Sequence, residues 1–215
     1  MTAGDGTIET GEQPLAARPA SDRVRLRRRP DRGHYDRATI DAILDEALVG
    51  HVGWILDGQP FVTPVSIWRT GDRLYWHASA GSRMVRATAG GAPVCVTASI
   101  LDGLVLAKSG ANHSMNFRSV MVLGRARLVE DEAEKASALD ALVDHLAPGR
   151  SKDVRPATAS ELRQTEVLWV DLVEASAKIR TGGPVIEPGD EAWPAWAGVV
   201  SLAITRGTPE AAPEA

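Results

Sequence analysis

The feature that most constrains this chain is a change of hydrophobic period at Gly50. Upstream, Ile40, Ile43, Leu44 and Leu48 recur at helical spacing, so the spacing predicts a helix over about 37–48. Downstream the period falls to two and stays there. HVGWIL (51–56) and PFVTPVSIW (60–68) flank Asp57-Gly58, a pair that tolerates the positive φ of a tight hairpin turn. RTGDR makes a second turn into LYWHAS (74–79). VCVTASI (94–100) and LVLAKS (104–109) flank another Asp-Gly pair, Asp102-Gly103, and read as a further hairpin. An irregular loop, GANHSMN, leads to RSVMVLGRARLV (118–129), and EVLWVDLVEASAKI (166–179) reads as one last long strand. Helices interrupt the series: SRMVRATA (82–89), closed by Gly90-Gly91; 130–146, with Ala138, Leu139, Leu142 and Leu146 on one face; and a short one at 159–165.

Six or seven antiparallel strands at hairpin spacing, with flanking helices, predict a mainly β fold. A small closed barrel, which hides its own strand edges, suits that count better than an open sheet. Composition agrees: of 215 residues twenty are Gly and only ten aromatic, so the core is built from Val, Leu, Ala and Ile between many turns. Six of the ten aromatics are Trp, and four of these (Trp54, Trp68, Trp76, Trp169) fall on expected strands. The folded domain is expected over 22–205, with disordered tails at 1–21 and 206–215, whose Gly/Thr/Glu/Pro-rich composition buries little.

The same residues exclude several functions. One cysteine, Cys95, allows no internal disulfide, and in an alternating strand it reads as a small buried hydrophobe. No run of 18 apolar residues is present and the N-terminus has no basic start, so neither a membrane span nor a signal peptide is expected, and cytoplasm is the expected compartment. A net charge of −4 gives no reason to expect nucleic acid. The six arginines between Arg23 and Arg32 read as a solvated lead-in strand; a polyanion arm is the alternative, but no aromatics interleave them. There is no GxSxG, GxGxxG, P-loop, HExxH or CxxC, and the five histidines are scattered, so no catalytic residue and no metal site is assigned.

The positive signal is Gly81-Ser82-Arg83, which follows a strand and opens a helix. Ser82 suits an N-cap, its hydroxyl can reach a phosphate, and Arg83 offers a bidentate cation. His77, at the end of the preceding strand, and Arg118-Ser119, after the polar loop, would converge with Arg83 on one dianion if their strands are neighbours. Taken singly, Arg118 reads as a surface arginine and His77 as a half-buried strand histidine. Pro64 cannot donate to a ladder and so marks an edge or a backbone facing something other than a strand.

On these residues the chain resembles the pyridoxamine 5′-phosphate oxidase-like, FMN-binding split-barrel family, nearest its nitroimidazole-resistance nitroreductase branch. ALVGHVGWI (47–55), PFVTPVSIW, LYWHASAGSRM (74–84), the stretch 94–126, SAKIRTGGP (176–184) and WPAWAGVV (193–200) carry the resemblance in order across 22–205. It implies a six-stranded antiparallel split β-barrel that dimerises, with one FMN in each of two clefts between subunits. Thr63, Pro64, Val65 and Ser66 then run beside the flavin ring. His77 and Ala78 match the strand-end pair near the phosphate, Ser82 and Arg83 match the phosphate clamp, and Ser119, after Arg118, faces the flavin edge. Lys178 and Arg180 match a C-terminal segment that reaches across the dimer. Met84 stands where the family usually adds a lysine, and the basic residues that bind vitamin B6 are not recognisable. The implied function is an FMN-dependent oxidoreductase acting on a small organic substrate, nitro compounds among them. Haem or the deazaflavin F420 on the same barrel, and a non-catalytic flavin-binding protein, are the alternatives.

Overall fold

A computed structural model describes residues 18–213; of the tails expected at 1–21 and 206–215, residues 1–17 and 214–215 lie outside the described residues. Nine strands form one antiparallel sheet: β1 (Gly33–His34), β2 (Val49–Leu56), β3 (Gln59–Thr70), β4 (Arg73–Ser79), β5 (Gly90–Leu106), β6 (Ser114–Leu128), β7 (Thr165–Asp171), β8 (Glu174–Arg180) and β9 (Gly198–Ser201). Among the described residues four α-helices accompany them: α1 (Arg37–Glu46), α2 (Arg83–Thr88), α3 (Glu132–Leu146) and α4 (Ala159–Gln164). Six strands close a ring in the order β2-β3-β4-β7-β6-β5, the last pairing back onto β2. This is the expected six-stranded barrel. β8 pairs with β6 outside the ring, β1 extends β8, and β9 adds to β5.

The barrel splits where β6 changes partner. It pairs with β8 as far as Leu123 and with β7 only from Arg127. Gly124 sits in the gap, and a Cβ there would collide with Val170. The residue is glycine because β7 passes too close for anything larger.

The period-two rows explain the two cores. Val52, Val96, Val122 and Ala175 are register partners on successive strands and are all buried inside. Ile40, Ile43 and Leu44 of α1 close that core, and Asp36 caps the helix by accepting a hydrogen bond from Thr39 N–H at 2.8 Å. A second core lies outside the ring, where α3 packs Ala138 and Leu142 on Trp68, Tyr75, Val167 and Trp169. Strand β7 is therefore buried on both faces.

Three expectations are corrected. Asp102-Gly103 is not a turn: β5 runs straight through it with a register shift between Leu101 and Gly103, and the hairpin turn lies beyond, at 107–113. The last strand is not continuous but breaks at Leu172-Val173 into β7 and β8, which sit on different stretches of β6. The helix at 37–48 ends at Glu46, and Leu48 is exposed. Asp57-Gly58, in contrast, forms the expected tight turn, with φ of 50° and 77°. Residues 206–213 carry no helix or strand, and no helix among the described residues is long and apolar enough to cross a membrane.

Candidate functional site

Strand β3 pairs with β2 along its whole length up to Ser66 but with β4 only from Ile67 to Thr70. Residues 59–66 thus offer an edge that no strand among the described residues covers, and Pro64 lies within it. Alternation sends Thr63 and Val65 to the side of the inner core and Pro64 and Ser66 to the other. On the inner side Trp54 and Phe61 stack at 4.6 Å, and Trp54 Nε1 donates to Thr63 Oγ1 at 3.0 Å. Arg83 lies over this pair, its guanidinium 4.4 Å from the Phe61 ring and 5.9 Å from Trp54. Such cation–π contact holds the exposed side chain with about 0.5–1 kcal/mol. It forms no ion pair among the described residues, so its N–H groups are available to an anion. Beside it, Ser82 Oγ caps α2 by accepting from Val85 N–H at 3.1 Å, which leaves the hydroxyl proton free to donate. Met84 faces the core, where a lysine would bury its ammonium.

His77 and Ala78 diverge. Ala78 packs against the inner core, whereas His77 lies on the opposite face of β4, 6.2 Å from the Trp68 ring. His77 is half-buried, its Nδ1 is buried with no partner among the described residues, and burial pushes its pKa down, which favours the neutral imidazole. It lines a recess of about 510 Å³ with Ser79, Gly81, Arg163, Gln164 and Thr165. That recess ends one residue before the Ser82-Arg83 clamp.

Arg118 and Ser119 face opposite sides of β6. The Arg118 guanidinium is taken up by Asp102, at 2.8 Å, and by both carboxylate oxygens of Glu46. These hydrogen bonds hold its pKa well above the ordinary arginine value. The expected convergence of Arg118 with Arg83 and His77 on one dianion is therefore not formed: Arg118 ties the end of α1 to β5. Ser119 is the register partner of Lys178, and its hydroxyl donates to the Lys178 carbonyl at 3.3 Å. Arg180 is buried, bonded to Asn116 Oδ1 at 2.5 Å and to the Gly183 carbonyl.

Across the sheet, Pro64, His51, Thr97, Met121 and Ser176 form one continuous row on the face away from the core. Ser66 lies next to that row on β3, and Ser119 and Lys178 lie next to it on β6 and β8. Of the residues assigned to the cofactor, Thr63, Val65, Ser82 and Arg83 thus form an inner set, Pro64, Ser66, Ser119, Lys178 and Arg180 lie on the outer face, and His77, Ala78 and Arg118 join neither as one cluster. Sequence reasoning missed Trp54 and Phe61, which position Arg83. Phe61 shares the alternation of Thr63 and Val65, a signal available in the sequence. Arg163 and Gln164 were missed because α4 is distant in sequence from the strand end it approaches. Cys95 is half-buried, and burial pushes its thiol pKa up, as suits an inert side chain.

A six-strand ring split between two partners of one strand, with an open edge and an arginine–serine pair beside it, defines the split-barrel class. A family model described as pyridoxamine 5′-phosphate oxidase matches residues 36–179, and the chain belongs to that family. Among solved structures it is similar to the flavocytochrome Anf3 of Azotobacter vinelandii, with a TM-score of 0.86 at 45% identity, covering 92% of each chain. It is also similar to the FAD and haem binding protein of Mycobacterium smegmatis, with a TM-score of 0.81 at 35% identity over 86% of this chain and 90% of that one. A candidate 5-nitroimidazole antibiotic resistance protein of Bacteroides thetaiotaomicron follows at 0.58 and 27% identity, over 68% and 86%. No curated protein sequence matches the chain.

Proposed function

We propose that this protein is a flavin-dependent oxidoreductase that works as a homodimer on a small organic substrate. The observation that carries the reading is Arg83, a cation with no carboxylate partner among the described residues, held over Phe61 beside the open edge of β3. One guanidinium and one free hydroxyl, from Ser82, match a single terminal phosphate, which favours FMN. The backbone of 63–66 would lie along the ring, and the flavin, when bound, supplies the hydride and electron chemistry. The outer-face row from Pro64 to Ser176 is the surface on which a second copy would pack. FAD, named for the Mycobacterium smegmatis relative, is separated by identifying the flavin released on denaturation. Purified protein should be yellow; colourless protein that takes up no flavin at tens of micromolar would overturn the reading. Activity is assayed with NADH or NADPH and a panel that includes nitro compounds, motivated by the Bacteroides neighbour.

A second group, haem, is favoured by the two relatives that are flavin- and haem-associated and by the recess at His77. Iron ligation requires a neutral imidazole, which burial of His77 favours. Arg163 at the same recess is a cation suited to a propionate. The two groups together would make the protein an electron-transfer flavocytochrome. A Soret band on reconstitution supports this; flavin uptake without one leaves the flavin reading alone.

A further inference from the structure

The tetrapeptide Ile-Leu-Asp-Gly occurs at 55–58 and again at 100–103, and the fold treats the two copies differently. At the first, β2 and β3 close on the pair Leu56–Gln59, so Asp57 and Gly58 make up the whole turn, with φ of 50° and 77°. Both residues are exposed, and nothing stands within 4 Å of where a Cβ would sit on Gly58. The Gly58 N–H lies outside the ladder. Among the described residues the Asp57 carboxylate forms no ion pair.

The second copy is pinned. Gly103 lies between Asn116 of β6 and Ser201 of β9, and a Cβ on it would stand 3.0 Å from the Val200 carbonyl oxygen. Leu202 N–H donates to the Asp102 carbonyl at 3.0 Å. The Asp102 carboxylate accepts from Arg118 Nε and Nη2, at 3.0 and 2.8 Å. An aspartyl–glycyl pair carries an electrophile, the side-chain carboxyl, beside a nucleophile, the next amide nitrogen, which glycine leaves unshielded. The two react only where the backbone can rotate to bring them together. A hairpin tip opens at little free-energy cost, whereas a strand paired on both sides must first break its ladders.

We propose that Asp57-Gly58 is a site of spontaneous isoaspartate formation, and that the fold protects Asp102-Gly103 from the same reaction. The Gly58 nitrogen bonds to Asp57 Cγ, the protonated carboxyl loses its hydroxyl as water with the amide proton, and a five-membered imide results. Water then adds back. Breaking the bond between the Gly58 nitrogen and the Asp57 main-chain carbonyl carbon leaves the chain running through Cγ. One water is lost and one regained, so the mass is unchanged and no oxidant or reductant takes part. The product lengthens the turn by one methylene, so Leu56 and Gln59 no longer close as register partners. The hairpin then loosens toward Phe61, which stands under the Arg83 guanidinium. None of this depends on the flavin reading.

The test is incubation of the full-length protein for weeks at physiological pH and temperature, followed by peptide mapping with a protease that cuts before aspartate but not before isoaspartate. Enzymatic methyl transfer from S-adenosylmethionine onto the mapped peptide confirms the new carboxyl, and the peptide carrying Asp5-Gly6 is resolved separately. Cleavage before Asp57 should be lost, with Asp102 lagging by about tenfold or more, the factor that about 1.4 kcal/mol of extra opening cost supplies. In denaturing urea the two copies should convert at closely similar rates; a difference that persists there belongs to local sequence and overturns the protective role of the fold. Asp57→Asn suits the same turn, loses ammonia in place of water, and should convert faster at the same position. Amide hydrogen exchange over 54–61 should rise in converted protein, and unchanged exchange overturns the loosening of the hairpin. No isoaspartate at position 57, or equal conversion at both positions in the folded chain, overturns the proposal.

Discussion

The guanidinium of Arg83 stands 4.4 Å from the Phe61 ring centre, and Phe61 in turn stacks on Trp54 at 4.6 Å. The hairpin β2–β3 therefore orients the cation that the α2 clamp offers, although α2 and β3 are joined only through β4. Replacing Arg83 with Ala is expected to weaken flavin binding by about 1.5–3 kcal/mol, the scale of a charge-assisted hydrogen bond, while the melting temperature stays close to wild type. Flavin fluorescence titration reads the first quantity and thermal denaturation of the flavin-free protein the second.

His77 separates the two cofactor readings. His77→Ala should abolish the Soret band of haem-reconstituted protein and leave flavin affinity unchanged. The same histidine predicts a pH effect. Its folded pKa is lowered by burial, so the unfolded chain binds the proton more readily, and stability falls as pH drops below the ordinary histidine value of 6.5. The urea midpoint should decline from pH 7 toward pH 5, and less steeply in His77→Gln.

Arg118 is predicted to matter for stability and not for flavin. Removing its side chain leaves Asp102 and Glu46 without their cation, and Arg118→Ala should cost about 1–2 kcal/mol in urea denaturation. Arg118 holds the Glu46 carboxyl below its ordinary value of 4.5. That contribution is present above about pH 4.5 and is lost as pH falls through the lowered value, so the variant and wild type should converge in stability in acid.

Gly124→Ala tests the split in the barrel. The added methyl would meet Val170 Cγ2 at the point where β6 leaves β8 for β7. Overpacking of this kind typically costs about 1–3 kcal/mol. Pairing the change with Val170→Ala should recover part of the loss, and no recovery would place the strain elsewhere.

Most of the barrel and half of the site were legible in the sequence. The Ser82 cap, the open edge around Pro64 and the half-buried state of His77 follow from short-range chemistry, and each stands as expected. What escaped were contacts between distant elements: Phe61 under Arg83, Arg163 at the His77 recess, and the capture of Arg118 by Glu46 across 72 positions of sequence. Side chains of this type are interchangeable until the fold decides which carboxylate or ring stands next to them.

The two Asp-Gly pairs mark the boundary between sequence and fold. At Asp57-Gly58 both residues take positive φ and the chain reverses, as the dipeptide alone dictates. At Asp102-Gly103 the same dipeptide stays extended. β6 pairs on both sides of it, β9 lies so near that a Cβ on Gly103 would stand 3.0 Å from the Val200 carbonyl, and Arg118 holds the aspartate. The sequence by itself determined the change of period, the alternating faces and the first turn, because these depend on neighbours a few residues apart. The tertiary structure decided the second pair, the split of the last strand and the partners of the arginines, because ladder hydrogen bonds and ion pairs from distant segments outweigh a local turn preference of about 1 kcal/mol.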